Sequence, residues 1–358
     1  MSSLPYTPAP AQKRSIVDMA LALAAKREYG LSIVIAVIVI AATLRDSSFL
    51  SLLNIRDILV NCTQPAIVAC GVMLVIVTGE IDISVGASLG LCTAICGTLM
   101  SADKLPQWFG EGHAPFGVAA AIGITVGVAT LIGLINGILV TLVRVPSIIV
   151  TLAMLMILRS FSVEVMAKGN ITDLPDAFRF FGIGTILGIR TSIWIMVAVL
   201  GATWALIRYT TIGRRIYAVG SNPHAATLAG LSVVRTKLFV FALTGFLVGI
   251  ATFITPNGAI DNSTSSSGFE LLVVTCIVVG GVSISGGVGT VVGVFLGVVL
   301  LQMQQTVLIF LKLSQNASNW NRAIQGALIL IAVLVDHLAA SRSRRGGGGG
   351  GGGRHCGR

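Results

Sequence analysis

"TTIGRRIYAVGSNPHAATLAGLSVVRTK", Thr210 to Lys237, carries Arg214, Arg215, Arg235 and Lys237 toward its two ends and contains no acid. It sits between two long apolar runs, near 190–208 and 237–255. Each run is close to the length that crosses a bilayer core as a helix, about 20 residues. Ionised groups are costly in hydrocarbon, so a basic segment joining two such runs belongs in water beside a membrane. That reading sets the fold class: an all-α integral membrane protein.

Working outward, the rest of the chain repeats the pattern. It has 358 residues, is 54% hydrophobic and only 11% charged, and its mean hydropathy is +0.92. A soluble protein of this length needs more surface charge. Ten apolar spans fit best, near 29–44, 58–78, 84–100, 116–142, 147–166, 190–208, 237–255, 269–281, 289–311 and 323–339. The first and eighth are short, so eight to ten transmembrane helices are expected. Residues 1–28 read as a polar, basic cytoplasmic segment with no apolar signal-peptide core before Ser15. Residues 29–340 read as the membrane domain. Residues 341–358, with glycine from Gly346 to Gly353, read as a disordered cytoplasmic tail.

Charge sets the orientation. With the N-terminus in the cytoplasm, the inner side holds Lys13, Arg14, Lys26, Arg27, Arg144, Arg208, the four basic loop residues and the arginines from Arg342 to Arg358. Its acids are Asp18, Glu28, Glu80, Asp82 and Asp336. Basic and acidic residues balance on the outer side, so the whole net charge of +10 falls inside. Positive charge concentrates in cytoplasmic loops, which predicts N-in and C-in and places the 210–237 loop in the cytoplasm. A nucleic-acid surface is a poor reading, because much of this charge sits close to helix ends.

Within the loop, "SNPHAATLAG" predicts a short helix. Ser221 or Asn222 can cap it, Pro223 suits its first turn, Ala225, Ala226 and Ala229 favour it, and Gly230 can end it. Such a helix is either an ordinary connection or a docking element for a soluble partner. Elsewhere "GEIDISVG" (79–86) and "GGVSISGG" (280–287) agree at the first Gly, the Ile, the Ser and the last Gly. The agreement marks a candidate internal repeat of the kind transporters carry, or the chance meeting of common residues.

Polar residues interrupt the apolar spans. Glu80 and Asp82 fall in a very short turn, either solvated at the headgroups or, if the turn is re-entrant, set at the N-terminus of the next helix, where negative charge is favoured. Arg159, with Glu164 and Lys168 beyond it, either snorkels to the outer interface or lines a permeation path. Asn136, Gln302, Gln304 and Gln305 either bond helix to helix or line that path. The Trp residues read as interface anchors. Cys92 and Cys96, one helical turn apart, read as packing residues, and no metal site or cofactor is expected. No GxxxxGK[ST], HExxH or GxSxG is present, and His224 and His355 lie in the loop and the tail. No catalytic constellation is visible, so the chain reads as a transport subunit without an ATPase site. Any energy must come from an ion gradient or another subunit.

Four stretches, in order, resemble the ribose-type permeases of bacterial ABC importers. "GEIDISVGASLGL" (79–91) is similar to the family's GGIDLSVG signature. "LIGLINGILVTLVRVPSIIVTLAMLMILRS" (131–160) and "GFELLVVTCIVVGGVSISGGVGTVVG" (268–293) resemble two further signatures, and the 210–237 loop resembles a fourth. The resemblance covers most of residues 50–335. Glu80 departs from it by replacing a second Gly, Val288 by standing where a basic residue is usual, and "VVTCIVV" by replacing an Ala-rich form.

The resemblance implies an inner-membrane permease bundle that imports a monosaccharide by alternating access. The sugar would be of the ribose, xylose, arabinose, galactose, rhamnose or autoinducer-2 type. Implied partners are an ABC ATPase subunit, a periplasmic or lipoprotein sugar-binding protein, and a second copy or a related permease. It assigns Arg214, Asn222, Pro223, Ala225, Ala226 and Gly230 to ATPase coupling. Signature turns fall at Gly79, Asp82, Ser84, Gly86, Gly281, Gly286 and Gly287. Candidate pathway residues are Asn136, Arg159 and Gln302. The competing reading is an ion-coupled secondary transporter that uses Asp82, Glu164 or Glu270. A channel or a structural membrane component is a third.

Overall fold

The computed structural model describes residues 27–102, 105, 115–166, 171, 174–254, 268–310, 320, 323–328 and 330. The helices are α1 (Arg27–Arg45), α2 (Leu52–Val77), α3 (Val85–Met100), α4 (Val118–Thr141), α5 (Ser147–Val165), α6 (Asp176–Ile183), α7 (Thr191–Tyr209), α8 (Thr211–Ser221), α9 (Pro223–Leu228), α10 (Val233–Thr252), α11 (Phe269–Val279) and α12 (Val291–Phe310). A short 3-10 turn, Ser47–Leu50, joins α1 to α2. Among the described residues a small hairpin of two-residue strands, β1 (Thr185–Ile186) and β2 (Ile189–Arg190), departs from all-α, with Thr185 opposite Arg190.

Seven helices, α1, α2, α4, α5, α7, α10 and α12, are long and apolar enough to cross a membrane, and α3 and α11 are shorter apolar helices. These nine coincide with the first nine expected spans. Of the tenth, only 323–328 and 330 are described, and they are helical. The segment 1–26, the 341–358 tail, Lys168 and the 255–267 connection lie outside the described residues. Two helices begin earlier than expected. α2 opens at Leu52, where the Ser51 hydroxyl accepts from the Asn54 N–H at 3.3 Å. α10 opens at Val233, where the Ser232 hydroxyl accepts from the Arg235 N–H at 3.3 Å. Capped first turns carry polar residues past the apolar core, so hydropathy alone places the start too late.

α2 is the axis of the bundle, with every residue from Pro65 to Val77 buried. It packs against α7, α10, α11 and α12. A helix apolar all round is a buried helix. α1, by contrast, rests on α12 and leaves Ile33, Val37, Ile40 and Leu44 exposed, as lipid-facing residues are. Pro65 lies inside α2. Proline has no N–H, so the carbonyl four residues back loses its helical donor. That carbonyl belongs to Asn61, and the Gln302 side chain of α12 donates to it at 3.0 Å. Gln302 is therefore a helix-to-helix bond in this structure, which is one of the two roles its sequence position allowed.

Close helix crossings are built on small residues. On α4, Cβ atoms at Gly133 and Gly137 would fall 2.3 Å from the Phe241 carbonyl oxygen and 3.0 Å from the Phe241 side chain. On α10, Cβ atoms at Gly245 and Gly249 would fall 2.3 Å from the Ala129 carbonyl and 2.8 Å from Val126. Lipid supplies no hydrophobic drive between helices, so stability comes from such close backbone approach.

Candidate functional site

The 210–237 segment folds into more than the one helix expected. α8 precedes α9, capped by Thr210, whose hydroxyl accepts from the Gly213 N–H at 3.1 Å. The pattern was legible: Ile212, Ile216 and Val219 recur at helical spacing, and Ile216, Val219, Gly213 and Gly220 are buried while Arg214 and Arg215 are exposed. α9 is the predicted short helix. Asn222 caps it by accepting from the Ala225 N–H at 2.9 Å, Pro223 is in its first turn, and Gly230 follows it at φ +79°. Asn222, Pro223, Ala225, Leu228 and Gly230 are exposed. Ala226 faces inward at 4% exposure, so it anchors the helix rather than presenting a surface.

The buried edge of α8 meets both glycine turns. A Cβ at Gly220 would fall 1.7 Å from the Val77 carbonyl and 2.8 Å from the Gly287 nitrogen. The Gly287 N–H donates to the Val77 carbonyl at 2.9 Å. Cβ atoms at Gly286 and Gly287 would crowd Gly79 and Ser221. The Tyr217 hydroxyl donates to the Gly289 carbonyl. Burial raises the pKa of its phenol, which keeps it a donor. Gly220 and Tyr217 are thus site residues that motif reading passed over, because neither carries charge or an evident cap.

The two turns end their helices in the same way. Gly79 at φ +82° donates to the Ile76 carbonyl, and Glu80 donates to Val75. Gly281 at φ +89° donates to Val278, and Val282 donates to Ile277. This is the Schellman pattern, which needs a left-handed residue and so favours glycine. Structurally Gly79 matches Gly281, one residue later than the pairing of 79–86 with 280–287. The shared form is a helix ending, and the sequence agreement is out of register with it. Glu80 is held by Lys237 of α10, with both side chains largely buried at 17% and 15% exposure. Beside α8 and the start of α10 lies a cavity of 360 Å³ lined by Arg215, Gly230, Ser232 and Arg235, among others.

From Glu80 the chain runs into the bundle. The Ile81 N–H donates to the Ser147 hydroxyl at 3.2 Å, and the Thr151 hydroxyl donates to the Ile81 carbonyl at 3.4 Å. Asp82 is 2% exposed, which overturns the headgroup-solvated reading for this residue. Its Oδ1 accepts from the Ser84 N–H at 2.9 Å and the Ser84 hydroxyl at 2.7 Å. Asn136 of α4, 1% exposed, donates to the Ser84 hydroxyl at 2.9 Å, and its own Oδ1 has no partner. The carboxylate therefore sits two residues before the N-cap of α3, inside the bundle.

α11 begins against the same place. Glu270, in its first turn, crowds Gly86, where a Cβ would fall 2.3 Å from Glu270 Oε2. The two short apolar helices thus meet N-terminus to N-terminus. Arg159 of α5 donates to Glu270 Oε1 at 3.1 Å. Snorkelling is corrected: an inward carboxylate holds the guanidinium. Among the described residues no cluster of His, Cys, Asp and Glu fits a metal ion. The five cysteines described are free and buried.

Residues 54–333 match the family described as branched-chain amino acid transport system / permease component. The ribose import permease protein RbsC of Escherichia coli (strain K12) is 34% identical over 309 residues, covering 85% of this chain and 91% of the relative. The galactose/methyl galactoside import permease protein MglC of the same organism is 33% identical, covering 89% and 96%. The L-arabinose transport system permease protein AraH, also from that strain, is 30% identical, covering 88% and 92%. No solved structure matches the chain.

Proposed function

The chain belongs to the branched-chain amino acid transport system / permease component family, and from that membership we propose that it is the membrane-spanning subunit of an ATP-driven sugar importer. It is a permease component of the bacterial inner membrane. Relatives named for ribose and galactose import and for L-arabinose transport support a monosaccharide cargo. The chain supplies no P-loop, so a separate ATPase supplies the energy. A sugar-binding protein delivers the cargo, and a second permease copy or a related permease completes the path.

The observation that carries the coupling role is the seating of α8 and α9. The buried edge of α8 locks onto the turns after α2 and α11, while α9, directly following it, presents exposed Asn222, Pro223, Ala225 and Leu228. A push on α9 is therefore delivered to two helix ends at once. With the N-terminus and C-terminus in the cytoplasm and ten spans in all, this surface faces the ATPase, a placement that the charge distribution supports. An ion-coupled carrier is not favoured. It has no use for such a surface, and Glu270 is already held by Arg159.

Co-purification tests the proposal. The chain is expected to hydrolyse no ATP alone, to co-purify with an ATPase subunit, and then to import sugar. Gly230 is exposed with open space around it, so Gly230→Trp is expected to abolish ATPase co-purification while leaving membrane insertion intact. Sugar uptake without any ATPase, abolished by an uncoupler, would overturn it.

A further inference from the structure

We propose that Arg159, Glu270 and Ser162 form a hydrogen-bonding station for an uncharged polyhydroxy solute at mid-depth in the bundle. The inference rests on the permease reading and names residues for its cargo. Arg159 lies twelve residues along α5 from Ser147, about 18 Å at 1.5 Å per residue. Glu270 lies ten residues before the Gly280 turn, about 15 Å. Both distances fall near the middle of a hydrocarbon core of about 30 Å.

The site has unused hydrogen-bonding capacity. The Glu270 side chain is 8% exposed, and its Oε1 is engaged by Arg159 while its buried Oε2 has no partner. That oxygen is aimed at Gly86, in the first turn of α3, where backbone N–H groups have no helical acceptor. Arg159 spends one N–H on Glu270. Its buried Nε is unpartnered, and its side chain is 32% exposed, so the station is open on the arginine side. Ser162, three residues further along α5 and so on the same face, is 1% exposed with a free hydroxyl. Buried polar atoms without partners are rare and costly in proteins. Here a carboxylate oxygen on Glu270, the Nε donor of Arg159 and the Ser162 hydroxyl are all buried without partners.

That set matches a sugar, whose hydroxyls each donate and accept. The charges cancel within the pair, so the station has no net attraction for an ion. A zwitterionic amino acid would need separate partners for its carboxylate and its ammonium, and it would compete with the existing pair.

The test uses the purified full-length chain in detergent, with thermal unfolding followed in D-ribose, D-galactose, L-arabinose or L-leucine. A sugar that binds the folded chain raises its Tm by mass action. At least one sugar is expected to raise Tm, and leucine is not. Ser162→Ala breaks no bond within the chain, so its Tm without sugar is expected to match the parent. Its apparent sugar affinity is expected to fall roughly tenfold, the effect of one lost hydrogen bond. Glu270→Gln is expected to lose the sugar response as well. The site is overturned if no sugar shifts the parent, if leucine shifts it more than any sugar, or if both variants respond like the parent. A chain that imports sugar with its ATPase and still gives one of those results keeps its permease role and loses this site.

Discussion

At Gly220 a single methyl group decides whether α8 can seat, because the nearest backbone oxygen would lie 1.7 Å from it. Gly220→Ala must push α8 away from Val77 and Gly287. Overpacking of that kind costs about 1–3 kcal/mol or more. A lowered Tm and lost sugar uptake, with normal membrane insertion, are the expected outcome. Gly230→Ala is the matched control: open space surrounds it, and only its φ of +79° resists a side chain, at about 1–2 kcal/mol. Gln302 offers a second test. Gln302→Leu leaves the Asn61 carbonyl without a donor, at a cost of about 1–3 kcal/mol. In a Pro65→Ala background residue 65 regains its N–H, so the same substitution is expected to be near neutral. A double-mutant cycle of thermal unfolding reads the difference directly. The sequence does not mark Gly220, and it leaves Gln302 between two roles without naming its partner. A glycine's necessity depends on what crosses it, and a glutamine's partner depends on which carbonyl a distant proline has freed.

Among elements, the turn after α2 is tied to α10 by Glu80 and Lys237. Glu80 is where the chain departs from the family signature, and the structure supplies the compensating cation. Removing one partner of a largely buried pair leaves a charge without compensation, whereas removing both is mild. Lys237→Met is therefore expected to lower Tm by several degrees, and Glu80→Gly combined with Lys237→Met is expected to recover most of that loss. The start and end of α9 were legible because caps are local: Asn222, Pro223 and Gly230 each act within a few residues. α8 was equally legible from its 212, 216 and 219 spacing, but its two arginines made the segment read as loop. The repeat shows the opposite case. Matching letters paired Gly79 with Gly280, while the helix-ending hydrogen bonds pair Gly79 with Gly281. Backbone geometry needs only one residue in a left-handed conformation, and either of two adjacent glycines satisfies a sequence match.

For the whole molecule, the proposed orientation makes a labelling prediction. Ser221 is exposed at the α8–α9 junction, and Leu187 is 89% exposed at the hairpin before α7. With the described native cysteines buried, a cysteine at Ser221 is expected to react with an impermeant thiol reagent only from the cytoplasm. One at Leu187 is expected to react only from outside, and the reverse pattern would invert the topology. The sequence by itself determined that the chain is a helical membrane permease, where nine of its apolar helices lie, and where one short polar helix caps and ends. Hydropathy, caps and glycine stops act over one or two turns, so they are written locally. Only the tertiary structure decided that the turns after α2 and α11 close on Gly220. It also decided that α3 and α11 start face to face inside the bundle, and that Arg159 turns inward to Glu270, 111 residues away. Those contacts depend on how helices cross in three dimensions, and the spacing of letters along one chain carries no measure of that crossing.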